Sequence, residues 1–140
     1  MKKWLSIFIT FNVFSYGFVT SSYAEDENPA AIEAMQDYFD FAQYSGGTIF
    51  KEQLEKLEPE TIAYIDARNA QQYESGHIAN AINIEWRELL SRKDEVPTDK
   101  TVVLYCDTGL LSSKAHFALS VAGFENVRVL FGGYLKWKEK

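Results

Sequence analysis

The sequence predicts an α/β protein in which helices flank a parallel sheet, and two observations carry that prediction. Short β-branched and aromatic runs alternate along the chain with segments of helical period, the pattern of strands joined by crossover helices. The run Thr101-Val102-Val103-Leu104-Tyr105 has no polar alternation, as expected of a central strand covered on both faces.

Taken in order, Asn28 and Pro29 ahead of an apolar pattern at Ile32, Met35, Phe39 and Ala42 predict a capped amphipathic helix ending near Gly46 and Gly47. Residues 25–47 thus read as an extra N-terminal helical extension packed on the main domain, residues 48–140. Thr48 and Ile49 precede a helical stretch over 50–57, with Leu54 and Leu57 directed inward and Pro59 as its stop. Residues 61–66 form an apolar strand. A polar loop with a short helix follows over 68–76, then a strand over 81–84, a helix over 86–92 and a turn-rich connection over 94–100. After the strand at 101–105, residues 110–122 continue as a helix closed by Gly123. A strand over 126–130, a turn at Gly132 and Gly133 and a short helix over 134–138 complete the pattern. Such alternation calls for right-handed crossovers. A length of 140 residues with 46% hydrophobic content suits one domain whose core needs neither disulfide nor metal.

Residues 1–24 read as an export signal: Lys2 and Lys3 form a positive start, residues 4–19 an apolar stretch, and Ser22-Tyr23-Ala24 a small-x-small cleavage site. Ser6, Thr10, Asn12 and Ser15 interrupt the apolar run, which falls short of the roughly 20 residues a membrane-spanning anchor needs. Cleavage after Ala24 leaves 12 basic against 20 acidic residues, a formal charge of −8. A chain so acidic is not expected to seek nucleic acid or anionic lipid. The expectation is a soluble, exported protein, periplasmic in a Gram-negative cell, with no membrane contact after processing.

The chain has one cysteine, so neither an intramolecular disulfide nor a dithiol couple can form. Cys106 falls at the carboxyl end of the most buried-looking strand and just before a helix, where open α/β sheets place their ligands. Gly109, three residues on, lets the loop curl so that its amides turn inward as an anion cradle. Those amides and the helix N-terminus should favour thiolate over thiol. A buried, inert cysteine at a strand end is the competing reading.

Three separated blocks bear on that choice. Tyr64-Ile65-Asp66-Ala67-Arg68 is followed by Tyr73-Glu74-Ser75-Gly76-His77-Ile78-Ala79-Asn80-Ala81-Ile82-Asn83-Ile84; the cysteine loop comes next; and Gly123-Phe124, Val127, Leu130, Gly132-Gly133 and Trp137 close the chain. In order and spacing they resemble the rhodanese family from about Thr48 to Lys138. The resemblance implies a parallel five-stranded sheet and a rhodanese-type sulfurtransferase (EC 2.8.1 class) with no metal or organic cofactor. Cys106 would be the cysteine nucleophile, taking sulfane sulfur from a small donor as a persulfide and passing it to a thiol or cyanide-like acceptor. Asp107, Thr108, Gly109, Leu110, Leu111, Ser112 and Arg68 are the candidate donor-binding residues, and Asp66 and His77 the candidate structural supports; Asp66 and Arg68, at the end of a neighbouring strand, could also meet as a charge pair or hydrogen-bond the cysteine loop in a structural role. Ser112 could hydrogen-bond a loop carbonyl or the sulfur as well as cap the helix start, capping being the usual job of a serine there. His116 is assigned no role.

The loop departs from the family's pattern. Many rhodanese loops carry arginine at the fifth position after the cysteine or basic residues at the first two; here those positions are Leu111, Asp107 and Thr108. In the two-domain thiosulfate enzymes a further arginine lies six residues after the first-block aspartate, at the position of Gln72. Asp107 should repel a dianion, so thiosulfate turnover is expected to be weak unless Arg68, Arg87 or Lys114 compensates, and Asp107→Arg is expected to improve it. Phosphatases related to this fold place arginine six residues after the cysteine to clamp a phosphoryl group; residue 112 is serine, which argues against phosphatase activity. The alternative functions are a non-enzymatic rhodanese-like module that binds a protein partner and a thiol sensor, which would need a partner's thiol.

Overall fold

The computed structural model describes residues 28–44 and 46–139. The expected export signal and Glu25 to Glu27 lie outside the described residues. Five parallel strands, β1 (Thr48–Ile49), β2 (Ile62–Asp66), β3 (Ile82–Asn83), β4 (Thr101–Tyr105) and β5 (Val127–Leu130), form one sheet in the order β1-β5-β4-β2-β3. The helices are α1 (Pro29–Phe41), α2 (Lys51–Leu54), α3 (Ala70–Glu74), α4 (Leu110–Val121) and α5 (Gly133–Trp137). No helix among the described residues is long and apolar enough to cross a membrane.

Strand β4 is central, and its composition accounts for that position. Val102 and Leu104 point into one hydrophobic cluster with Ile65, Ile84, Leu89, Ala115, Leu119 and Val127. Val103 and Tyr105 point into a second, with Ile49, Leu54, Ile78 and Leu130. A strand with period-two geometry and buried apolar or aromatic residues at four successive positions, Val102 to Tyr105, can only be satisfied between two covered faces. Each fully buried large side chain contributes about 1.5–3 kcal/mol, so the strand carrying Cys106 at its end is the most firmly fixed part of the sheet.

The structure departs from the sequence expectation in four places. Residues 86–92, expected as a helix, are successive turns leading into a single 3₁₀ turn at Lys93–Glu95. Leu89 is the one residue of that stretch that is buried, and the Glu85 carboxylate takes the Arg87 amide at 3.1 Å, so neither an apolar face nor a continuous carbonyl ladder supports a helix. Leu57, expected inside, is 40% exposed because the helix stops at Leu54. Thr48 and Ile49 form an edge strand on β5. Helix α1 begins as expected, with Asn28 accepting the Ala31 amide at 3.2 Å, yet it buries no residue. Its neighbour is α4, which it meets through Tyr38 and Phe39 on Phe117, at ring separations of 4.9 and 5.8 Å. One neighbour covers only one edge of a helix, and Ile32 and Phe39 remain largely in solvent.

Candidate functional site

Cys106 directly follows Tyr105, the last residue of β4, and is 2% exposed. The chain then turns through Asp107 and Thr108 to Gly109, which has φ +103 and stands as N-cap of α4. That left-handed conformation is open to glycine at little cost. It brings the Gly109 amide to 3.2 Å from the Cys106 sulfur. Ser112 is fully buried, and its hydroxyl lies 3.6 Å from the sulfur and 3.1 Å from the Gly109 carbonyl. The expected capping role falls instead to Gly109: α4 has no side-chain cap, and the Ser112 hydroxyl faces back toward the sulfur.

Burial pushes the Cys106 thiol upward, but the amide and hydroxyl of Ser112 and the amides of Thr108 and Leu111 outweigh it, and the net shift is below the ordinary thiol range. The donors are aimed at the sulfur by the start of α4, where unpaired amides favour an anion. The loop therefore favours the thiolate form of Cys106.

A second set of contacts fixes the loop from outside. The Tyr134 and Leu135 amides, at the start of α5, donate to the carbonyls of Cys106 and Asp107 at 2.8 and 3.0 Å. Gly133, φ +62, permits this approach, since a β-carbon there would run into the carbonyls of Cys106 and Asp107. The turn expected at Gly132 and Gly133, part of the third block, thus carries a close backbone approach, for which a glycine doublet is the sequence signal.

Arg68 and Asp66, both buried, form a bidentate pair, with Arg68 Nε 2.9 Å and Nη2 2.6 Å from carboxylate oxygens of Asp66. Arg68 also reaches the Gly76 carbonyl at 2.7 Å and Asp107 Oδ1 at 3.2 Å, and lies over the Tyr134 ring at 4.4 Å. Its guanidinium thus forms the expected charge pair with Asp66 and joins the first block to the cysteine loop, rather than standing free for a donor. These partners outweigh the opposing effect of burial, and Arg68 stays protonated at every accessible pH. Gln72 donates to the other Asp107 oxygen at 2.6 Å, a contact across 35 residues that no local pattern announces.

His77 is exposed, stacks on Tyr73 at 3.9 Å and donates from Nδ1 to the Tyr73 carbonyl at 2.9 Å. His116 lines a groove of about 660 Å³ between α1 and α4 that does not include Cys106. Thr108 and Leu110 are exposed, and Leu111 is half-buried. Thr108, Gly109 and Leu110 border an open cavity of about 320 Å³, closed on its other side by Thr48, Val129 and Phe131. Lys114 and Arg87 flank the Trp86 ring at 5.2 and 6.0 Å, and Arg87 is paired with Glu85. Among the described residues no group of three or more His, Cys, Asp or Glu is gathered as metal ligands.

Known proteins share this arrangement. The chain is 41% identical over 76 residues to the uncharacterized protein YqhL of Bacillus subtilis, matching 54% of this chain and 60% of that protein, so it spans less than two thirds of that relative's length. It is 32% identical over 84 residues to the thiosulfate sulfurtransferase GlpE of Coxiella burnetii, which covers 60% of this chain and 78% of that one. The crystal structure of a rhodanese-related protein from Thermoplasma volcanium superposes with a TM-score of 0.59 at 29% identity, covering 64% of this chain and 88% of that chain. The Rhodanese-like domain model matches residues 48–140, which begin at β1 and take in every element that surrounds the sulfur, and the chain belongs to the rhodanese-like family.

Proposed function

We propose that the protein is a rhodanese-type sulfurtransferase that carries sulfane sulfur on Cys106. The observation that carries this reading is the position of the sulfur: at the end of the central strand, within reach of the Gly109 amide and the Ser112 hydroxyl, and favoured as a thiolate. The relationship to a protein named thiosulfate sulfurtransferase supports it.

In the first half-reaction the Cys106 thiolate attacks the outer sulfur of a donor. A bond forms between the two sulfurs, the donor's own bond to that sulfur breaks, and the leaving group departs with the electron pair. The terminal sulfur of the persulfide then carries the negative charge, which the loop amides stabilise. In the second half-reaction a thiolate or cyanide acceptor attacks that terminal sulfur, the persulfide bond breaks, and Cys106 recovers its thiolate. The cycle is redox-balanced between donor and acceptor and uses no cofactor. The reading includes weak turnover of thiosulfate and, from residues 1–24, export to the periplasm as a soluble mature protein.

The test is intact mass after incubation with thiosulfate, mercaptopyruvate or a polysulfide. One added sulfur is expected on Cys106, removable by cyanide and absent from Cys106→Ser. If no donor gives an adduct while Cys106→Ser still binds a cellular protein, the domain is a partner-binding module instead.

A further inference from the structure

The contacts of Asp107 assign a role to Gln72. Asp107 follows Cys106 directly, and its side chain is 37% exposed. One oxygen is held by Arg68 and the other by Gln72, at 3.2 and 2.6 Å. Arg68 is 4% exposed and shares its charge with Asp66 as well. The cluster therefore sets two carboxylates against one guanidinium, with its cation buried and the part-exposed Asp107 carboxylate carried by the residue next to Cys106. Leu111 adds no charge, and Arg87 and Lys114 are drawn to Glu85 and Trp86.

We propose that Gln72 and Asp107 together determine the charge class of the sulfur donor, so that the site accepts monoanionic or neutral sulfane-sulfur donors and turns dianions away. Gln72 is the positioning residue, because its bond keeps the Asp107 carboxylate on the protein rather than in solvent. This rests on the sulfurtransferase reading and specifies its substrate class. The chemistry is unchanged between the classes: with methanethiosulfonate the leaving group is methanesulfinate, and with thiosulfate it is sulfite, each departing with the electron pair of the broken sulfur–sulfur bond. The two donors differ by one charge and little in shape.

The experiment compares kcat/KM for methanethiosulfonate and thiosulfate, with cyanide as acceptor, on the full chain. The wild type should favour the monoanion. Asp107→Asn keeps a side chain of the same shape, able to bond both partners, and should shift the ratio of kcat/KM for thiosulfate over methanethiosulfonate about tenfold toward thiosulfate, as removal of one nearby charge requires. Gln72→Met should move the ratio the same way by a smaller factor, and should have no further effect in the Asp107→Asn background. A purely structural role for Gln72 would lower both donors equally. In the wild type, added salt should improve thiosulfate more than methanethiosulfonate by screening the repulsion, a measurement that does not depend on any variant folding. An unchanged ratio in Asp107→Asn, or equal salt effects on the two donors, overturns the proposal while a Cys106 adduct leaves the sulfurtransferase reading standing. Failure of every donor to form the adduct removes both.

Discussion

The two ends of the chain's helical cover are held in opposite ways. Around Cys106 nearly every polar group has a named partner: the sulfur has Gly109 and Ser112, the loop carbonyls have the α5 amides, and Asp107 has Arg68 and Gln72. Helix α1 is attached by two aromatic side chains against Phe117 and buries none of its residues. The contrast separates a region whose geometry is fixed by many mutual contacts from one that rests on aromatic contacts along a single edge.

The strongest test of this contrast is Arg68→Ala. It leaves the fully buried Asp66 carboxyl without its Arg68 partner, and should cost about 3–5 kcal/mol in urea denaturation, with loss of sulfur loading. A loss below 1 kcal/mol would show that the cluster is no more than a surface pair.

Ser112→Ala should be milder for stability, about 1–2 kcal/mol for a buried hydrogen bond to a charged sulfur, and more informative about the thiol. Removing a donor that favours the thiolate should move the midpoint of thiolate ultraviolet absorbance to higher pH. The stability follows with a definite sign. Because the folded thiol titrates below the unfolded one, ionisation of Cys106 contributes stability fully above the unfolded pKa of about 8.5, and that contribution is lost as pH falls through the folded value. The gap between wild type and Ser112→Ala should therefore widen on going alkaline. A gap independent of pH would mean that the hydroxyl acts only through the Gly109 carbonyl.

Tyr38→Ala should have the smallest effect, about 1 kcal/mol or less, the worth of an edge-on aromatic contact, and should leave sulfur loading unchanged. A loss as large as that of Arg68→Ala would erase the distinction between the two regions.

What could be read from the sequence follows the range of the interactions involved. The central strand was legible to the residue, because Thr101–Tyr105 declares two covered faces in five letters, and the glycine three residues after Cys106 announces the curled loop. The helix expected over 86–92 failed because the pattern of leucines and charges there is compatible with a helix until the loss of an apolar face is seen in three dimensions. Strand β1 has two residues and acquires its identity from Val129 and Leu130, some eighty positions later. Ser112 looked like a cap because serine at a helix start usually is one; the sulfur three residues before the N-cap redirected its hydroxyl. Gln72, in α3, could be noted only as the place where an arginine is missing, since its partner Asp107 lies on a loop 35 residues away.

The strand order has a consequence for how such a protein is made. β5 lies between β1 and β4, so the first strand to leave the ribosome has no edge to join until one of the last does. α5, which grips the cysteine loop, comes later still. A nascent chain that has already exposed its thiol thus lacks both the closed sheet and the clamp on that thiol, and the sulfur's environment is completed only by the final residues of the domain.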